Sequence, residues 1–447
     1  MHAASMSIDP VIEQARLGRF RWTLYGICAF LMGLEGYDAY ILANLAPTIA
    51  KALHIAMPSM AIVFSIQNFG MALGFYTVPL IADRTGRRNV ILAGLCAFAF
   101  FTFVSTAATN LTQLAIIRFL AFVAFGGTFP NIVALAAEYL PNARRTRLLT
   151  WVFIAHGVGS SMAGLAGPSI VKYFSWQAAF WIGGGVMLAA VPVLFWFLPE
   201  SCRHMVAKRP TDPRIAIYLR RIDPGFYAAP GTLFVTTEVK TAGSTVTALF
   251  RDGRAPMTLL LWIAMAGALF STATLTAWIP SLLHLLGGLD TATATRMTGL
   301  SAIGAICGPV LLTFLMRRMS LARALALTLG IAFLNTVAFT IVAAVPWTGW
   351  LLGAAFGLFV AGSQAGLNTL VASSYPTAIR STGIGWAGGL GRITSIIGPG
   401  VAGAMLATHW SPIAIYSMIA APLLVAGGSA ALLSLLRPAA ARVEKQS

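Results

Sequence analysis

Acidic residues are scarce in this chain, with 13 Asp and Glu against 30 Lys and Arg in 447 residues and a formal net charge of +17. Charge of either sign is scarce too, at 10% of residues. A soluble globular protein carries about 25%. That shortage excludes the two or three soluble domains the length alone would suggest. Cysteine is nearly missing. Cys28, Cys96, Cys202 and Cys307 are scattered, show neither metal nor disulfide spacing, and read as structural. A Walker loop, HExxH, CxxC and GxSxG are absent. The sequence therefore predicts no ATP-driven machine, no enzyme and no metal or other cofactor. Apolar residues are abundant, at 58% of the chain, with a mean hydropathy of +0.80.

A membrane-spanning helix needs roughly 20 mostly apolar residues. Twelve windows qualify: 22–46, 59–82, 89–108, 111–140, 148–171, 178–198, 255–282, 292–315, 322–345, 350–372, 381–407 and 412–436. The fourth is long enough to tilt or to project from the bilayer. Short loops rich in Lys and Arg face the cytoplasm. Of the 30 basic residues, 25 fall in the N-terminal segment, the tail and every second connection, and only Lys51, Lys172 and Arg296 fall in the alternate loops. The split predicts twelve spans with both termini cytoplasmic. The basic excess reports topology; the partner it implies is the lipid bilayer, not nucleic acid. The first apolar window is too long for a signal-peptide core, and 1–21 is polar, so no cleavable leader is expected.

The polar stretch 199–254 separates six windows from six and reads as a cytoplasmic linker with a short extended run over 232–239. The chain thus divides into 1–198, 199–254 and 255–447. Four features repeat at nearly one offset: Pro47 and Pro280 (233 apart), Asp83 and Arg317 (234), Pro141 and Pro376 (235), and Gly167-Pro168 and Gly398-Pro399 (231). Two parallel six-span repeats are a transporter architecture, with the site at the midplane between them.

Charges inside the spans cost several kcal/mol, so they mark function by default. Glu35-Gly36-Tyr37-Asp38 places two carboxylates three residues apart on one face of the first span. Two carboxylates close together in low dielectric cannot both ionise easily, which suits a group that binds and releases a proton. The alternative is an ion pair with a basic residue. Arg118 lies inside the fourth span and Arg392 inside the eleventh. Each offers a planar fork that fits a carboxylate. Arg392 is the favoured site for an anionic substrate, because Gly388, Gly389 and Gly391 leave room beside it. Arg118 is the other candidate, or a partner of the first-span carboxylates. Gln364 and Asn368 share a face of the tenth span, and Tyr37 and Trp386 are candidate ring-stacking residues. Interhelical hydrogen bonding and lipid contact are the plainer readings of these four, as interhelical bonding is for Gln67 and Asn68. His156 is a lone intraspan histidine.

The turn Asp83-Arg84-Thr85-Gly86-Arg87-Arg88 explains its arginines as a positive-inside anchor but leaves its Asp unexplained. Asp83 either caps the third span or pairs with a basic residue across the half. The expected cytoplasmic gate comprises Asp83, Arg84, Arg87, Glu138, Arg145 and Arg380, with Glu138 joining through Arg144 or Arg145.

The loop at 83–88 resembles the loop signature of the major facilitator superfamily. Three stretches resemble its aromatic acid:proton symporter family: Glu35-Gly36-Tyr37-Asp38 with Pro47; Arg118-Phe119-Leu120 through Gly126-Gly127-Thr128-Phe129-Pro130-Asn131 to Glu138-Tyr139; and Tyr375-Pro376 through Arg380 to Gly391-Arg392 and Gly398-Pro399. The resemblance implies an all-α fold of two six-helix pseudo-symmetric bundles in the bacterial inner membrane and proton-coupled symport of an aromatic carboxylate of the hydroxybenzoate type by alternating access, in a functional monomer. It places the family's functional charges on Glu35, Asp38, Asp83, Arg118, Glu138, Arg380 and Arg392. The chain departs from the family pattern at Glu35 (usually Asp), Pro79, Phe122 and Ala124 (usually Gly), and in 316–323, which lacks the family's Asp and His. Alternatives are a symporter of a non-aromatic organic acid, a proton-coupled exporter of drugs or metabolites (suggested by Gly157, Gly159, Gly164 and Gly167-Pro168), and a membrane receptor or sensor.

Overall fold

The computed structural model of the chain describes residues 5–229, 231–236, 246–376 and 379–443, and twelve helices long and apolar enough to cross a membrane stand among them. In chain order, spans 1 to 6 are Arg19–Ala52, Met57–Thr85, Arg87–Ala107, Leu111–Glu138, Leu148–Tyr173 and Trp176–Phe197. Spans 7 to 12 are Ala255–Leu285, Thr291–Leu315, Leu321–Ala343, Thr348–Ser374, Thr382–Ala407 and Pro412–Leu435. Short polar residues start several of them. Asn110, Ser175, Asp290 and Ser320 each accept a hydrogen bond from a backbone N–H of the following turn, satisfying a donor that a helix start leaves orphaned.

Span 1 runs past the window that ended at residue 46, so that Pro47 lies inside it, as Pro280 lies inside span 7. A membrane helix tolerates proline because neighbouring helices re-satisfy the freed carbonyl. Span 8 is not continuous; it breaks at Leu300 between Thr291–Gly299 and Ser301–Leu315. Span 10 carries a π-helical turn at Gly357–Ala361.

The described parts of the linker are folded, not merely a connector. Helices Cys202–Lys208 and Pro213–Ile222 pack under the N-terminal half, and strand Leu233–Val235 pairs in parallel with Ser5–Ser7. The extended run foreseen at 232–239 is thus a strand at 233–235, and 237–239 lie outside the described residues. Ile8, Ile12, Ile215, Leu219, Ile222 and Phe234 join one apolar cluster with Leu24, Leu31, Phe98, Phe125 and Ile132 of the spans. The pairing puts the N-terminal segment on the same face as the linker.

A second apolar cluster straddles both halves. It joins Ile41, Leu45, Ile49 and Phe64 of spans 1 and 2 to Leu275, Trp278, Leu282 and Met297 of spans 7 and 8. These residues sit toward the face opposite the basic loops. Hydrogen bonds cross between the halves there or near mid-span, among them Thr295 Oγ1 to Asn44 O (3.0 Å), Ser161 Oγ to Gly299 O (2.9 Å), Arg296 Nη2 to Ser169 Oγ (3.4 Å) and Asn68 Nδ2 to Ser395 O (3.1 Å).

Spans 1 and 5 touch backbone to backbone. A Cβ added at Gly36 would strike the His156 carbonyl, and one at Gly159 the Gly33 carbonyl. Gly26 on the same span has open space. Overpacking a close contact costs roughly 1–3 kcal/mol. Gly159→Ala should therefore lower the melting temperature in detergent, whereas Gly26→Ala should leave it unchanged or raise it; equal behaviour of the two would contradict this packing.

Candidate functional site

The first-span carboxylates are both fully buried, but their surroundings differ. Arg118 projects from span 4 into the same interior and directs Nη1 and Nη2 at Asp38 Oδ2, each at 3.4 Å. Its Nη2 also reaches the Asp38 carbonyl (3.4 Å), and its Nε donates to Gln67 Oε1 (3.2 Å). Thr102 Oγ1 donates to Asp38 Oδ2 at 3.3 Å. The guanidinium lies over the Phe122 and Phe180 rings, 4.9 and 5.5 Å from their centroids. Phe122, where the family pattern has glycine, thus supplies a cation–π wall. Among the described residues, Asp38 Oδ1 and both oxygens of Glu35 are buried without a hydrogen-bond partner.

Arg118 is therefore sealed inside the N-terminal half in this conformation, the partner of Asp38, and does not line the surface between the halves. Tyr37 is likewise turned inward, its hydroxyl donating to Ala179 O at 3.0 Å. Gln67 and Asn68 serve as interhelical hydrogen-bonding residues, the first to Arg118 and the second to span 11. His156 is wedged between Tyr40 and Phe129, with ring centroids 6.3 and 5.8 Å away.

Arg392 is different. It is half-buried where spans 2 and 11 meet, with its guanidinium 3.6 Å from the centroid of the Phe75 ring of the opposite half. Nη1 reaches Gly388 O at 3.5 Å, and Nε has no partner. The Tyr76 hydroxyl lies beside it and beside Gly389, and Gly388 faces the Arg392 guanidinium, whereas Gly391 packs against Leu269 and Met265 of span 7. Among the described residues no carboxylate pairs with Arg392. On the tenth span, Gln364 Nε2 contacts Met265 Sδ (3.7 Å) and leaves Oε1 unpartnered, and Asn368 is exposed. Trp386 is also exposed and stacks on Trp262, with centroids 6.0 Å apart and planes at 20°. Phe75, Tyr76 and Trp262 were not foreseen from the sequence; aromatics are too common in this chain for any one to stand out.

On the far side of this region the halves are closed. The cavity between Tyr40, Asn44, Ser160, Thr276 and Thr298 measures about 20 Å³, room for about one water. A small-molecule pocket needs roughly 300 Å³ or more.

The gate residues are arranged otherwise than expected. Gly86, in a left-handed conformation (φ 100°), turns the chain so that Arg87 starts span 3 beside the end of span 4. Arg87 Nε then pairs with Glu138 Oε1 at 2.7 Å, and Nη1 reaches Asn131 Oδ1 at 3.4 Å. Ser201 Oγ donates to Glu138 Oε2. Glu138 is thus held by Arg87 and the linker, not by Arg144 or Arg145. Pro141 starts a new helix that carries Arg145 away, and its Nη2 reaches only Leu140 O, at 3.5 Å. Asp83 and Arg84 are exposed at the end of span 2, and Arg380 Nε reaches Tyr375 O (3.4 Å). Glu138→Ala would orphan both Arg87 and Ser201 and should cost about 1–3 kcal/mol, more than an exposed ion pair is worth. A melting-temperature comparison with Arg145→Gln, expected near wild type, checks this.

Comparison with known proteins agrees with this architecture. The sequence pattern of the Major Facilitator Superfamily matches residues 28–399. The chain belongs to this superfamily. It is a membrane transporter rather than an enzyme, a multi-pass protein of the bacterial inner membrane. Its relatives include a gallate transporter of Pseudomonas putida, 28% identical over 90% of this chain and 89% of that one. They also include the 4-hydroxybenzoate transporter PcaK of Acinetobacter baylyi (27%, covering 94% and 92%) and the 3-(3-hydroxy-phenyl)propionate transporter of Escherichia coli (28%, covering 90% and 91%). These names accord with the resemblance to the aromatic acid:proton symporters. In fold, the chain is similar to a bacterial homologue of the human lysosomal transporter Spinster in an inward-facing, unoccupied conformation, with a TM-score of 0.68, 15% identity and coverage of 93% and 97%.

Proposed function

We propose that this transporter takes up an aromatic carboxylate together with protons by alternating access, as a monomer with both termini in the cytoplasm. One observation carries the substrate reading: Arg392 lies between the halves with no carboxylate partner and with aromatic faces beside it. A guanidinium there binds a carboxylate bidentately, and Phe75, Tyr76, Trp262 and Trp386 offer surfaces for a ring. The carriers of gallate, 4-hydroxybenzoate and hydroxyphenylpropionate among its relatives support the same class.

The proton reading rests on the unequal carboxylates. Asp38 has Arg118 as its counter-charge, so it stays paired in this conformation. Glu35 has no partner among the described residues. Burying an unpaired charge costs far more than burying a neutral acid, so Glu35 is suited to carry a proton here and to release it when the half rearranges. With the basic loops in the cytoplasm, the closed face is periplasmic and the conformation is inward-facing. The Arg87–Glu138–Ser201 cluster ties the turn after span 2 to the linker and would reorganise as the halves rock.

Uptake by cells expressing the chain, screened over aromatic and aliphatic acids, tests the substrate class. Saturable uptake of ring carboxylates at least about ten-fold above aliphatic acids of similar size is expected, a difference of about 1.4 kcal/mol. Preference for aliphatic acids would remove the aromatic reading, and net efflux would favour an exporter.

A further inference from the structure

The face bearing the basic loops holds a second polar cavity, under the outer flank of the N-terminal half where span 6 ends. Its volume is about 420 Å³. Two separated stretches build it: the turn between spans 2 and 3, and the two linker helices. Arg84, Arg88, Lys208, Arg209 and Arg214 line it against only two carboxylates, Glu200 and Asp212.

Both carboxylates are already engaged. Asp212 accepts from Arg214 Nη2 at 2.8 Å and Nε at 3.1 Å, and Arg214 holds its carboxyl below the usual carboxylate range. Glu200 Oε1 accepts from the backbone N–H of Arg88 (3.2 Å) and of Ser201 (2.8 Å). Arg88 itself caps the end of span 6, donating to Leu198 O (2.9 Å) and Phe195 O (2.5 Å). That leaves Arg84, Lys208 and Arg209, all exposed and without an ion pair among the described residues, converging on one concave space.

The depth of the cavity relative to the bilayer is marked by its neighbours. Phe195, Trp196 and Phe197 form an exposed aromatic run at the end of span 6, and Arg88 lies over the Phe195 ring at 4.9 Å. A tryptophan such as Trp196 at the end of a span sits at headgroup level. The geometry points to a binding site for a phosphate-bearing anion in this cavity, with the headgroup of an anionic phospholipid as its source. Bound there, the phosphate bridges the turn between spans 2 and 3 to the linker helices, two parts of the chain that also meet through Glu200 and through the Arg87–Glu138–Ser201 cluster.

Native mass spectrometry of the purified full chain tests this site, with phosphatidylglycerol, phosphatidylcholine and inorganic phosphate as separate probes. The comparison is between wild type, Lys208→Gln/Arg209→Gln and the conservative Lys208→Arg/Arg209→Lys. Each cation near a membrane surface contributes about a five-fold factor, so the neutral double variant should weaken phosphatidylglycerol retention roughly ten- to thirty-fold. Phosphatidylcholine retention should not change, and the conservative variant should bind as wild type does. Binding of inorganic phosphate alone, lost in the same neutral variant, would keep the site and assign it to a soluble anion. Equal retention of both lipids, or phosphatidylglycerol retention unaffected by the neutral variant, would overturn the proposal.

Discussion

Arg392→Ala should reduce uptake of an aromatic acid by roughly a hundred-fold or more at fixed substrate concentration. Removing one member of a desolvated charge pair costs about 2–5 kcal/mol, and a hundred-fold corresponds to about 2.7 kcal/mol. Arg392 is available for this role because its neighbours are ring faces and a carbonyl, not an acid. The cation–π contact with Phe75 holds the guanidinium at the join between the halves, and a carboxylate arriving there competes with a quadrupole, not a full charge. Arg392→Lys should recover only part of the activity, since a point charge replaces the fork. The fold should survive both changes, because no buried acid is orphaned. Initial rates against substrate concentration, with melting temperatures alongside, check this. Wild-type uptake by Arg392→Ala would show that the substrate carboxylate binds elsewhere.

Arg118→Gln should do the reverse, damaging the fold itself. It leaves Asp38 fully buried with Thr102 as its hydrogen-bond donor and no counter-charge, so the carboxyl either bears an uncompensated charge or must take up a proton. Removing one partner of a buried pair costs about 3–5 kcal/mol through the uncompensated charge. The variant should express poorly or melt much lower than wild type. Asp38→Asn/Arg118→Gln removes both charges and should restore most of the stability without restoring proton-driven accumulation. Such a rescue separates the structural role of the pair from its part in coupling. If the single variant were as stable as wild type, the buried pair would not be holding the half together.

Much of this was legible in the sequence because the bilayer imposes it. Apolar windows locate the spans, and placement of Arg and Lys sorts the loops, since both follow from transfer cost. Arg118 and Arg392 stand out for the same reason. Which of them pairs with Asp38 did not follow from spacing, because it depends on how spans 1, 3 and 4 are rotated. The expected partner of Glu138 was wrong for a related reason. Arg144 and Arg145 are near in sequence, but Pro141 redirects the chain, while Gly86 brings Arg87 in from 51 residues away. Phe75 and Tyr76 were invisible because their importance lies in a contact between halves that no local pattern encodes. The pairing of Ser5–Ser7 with Leu233–Val235 is equally non-local, and nothing in either short run announces the other.

Proton-driven uptake can be measured directly in proteoliposomes. A hydroxybenzoate would be supplied outside, an inward proton gradient imposed, and accumulation followed for wild type, Glu35→Gln and Asp38→Asn. Wild type should concentrate the acid inside and lose that accumulation when the gradient is collapsed. Glu35→Gln and Asp38→Asn should bring the acid no further than equilibrium. Undiminished accumulation by both variants, or wild-type accumulation indifferent to the gradient, would contradict proton-coupled uptake through the first-span carboxylates.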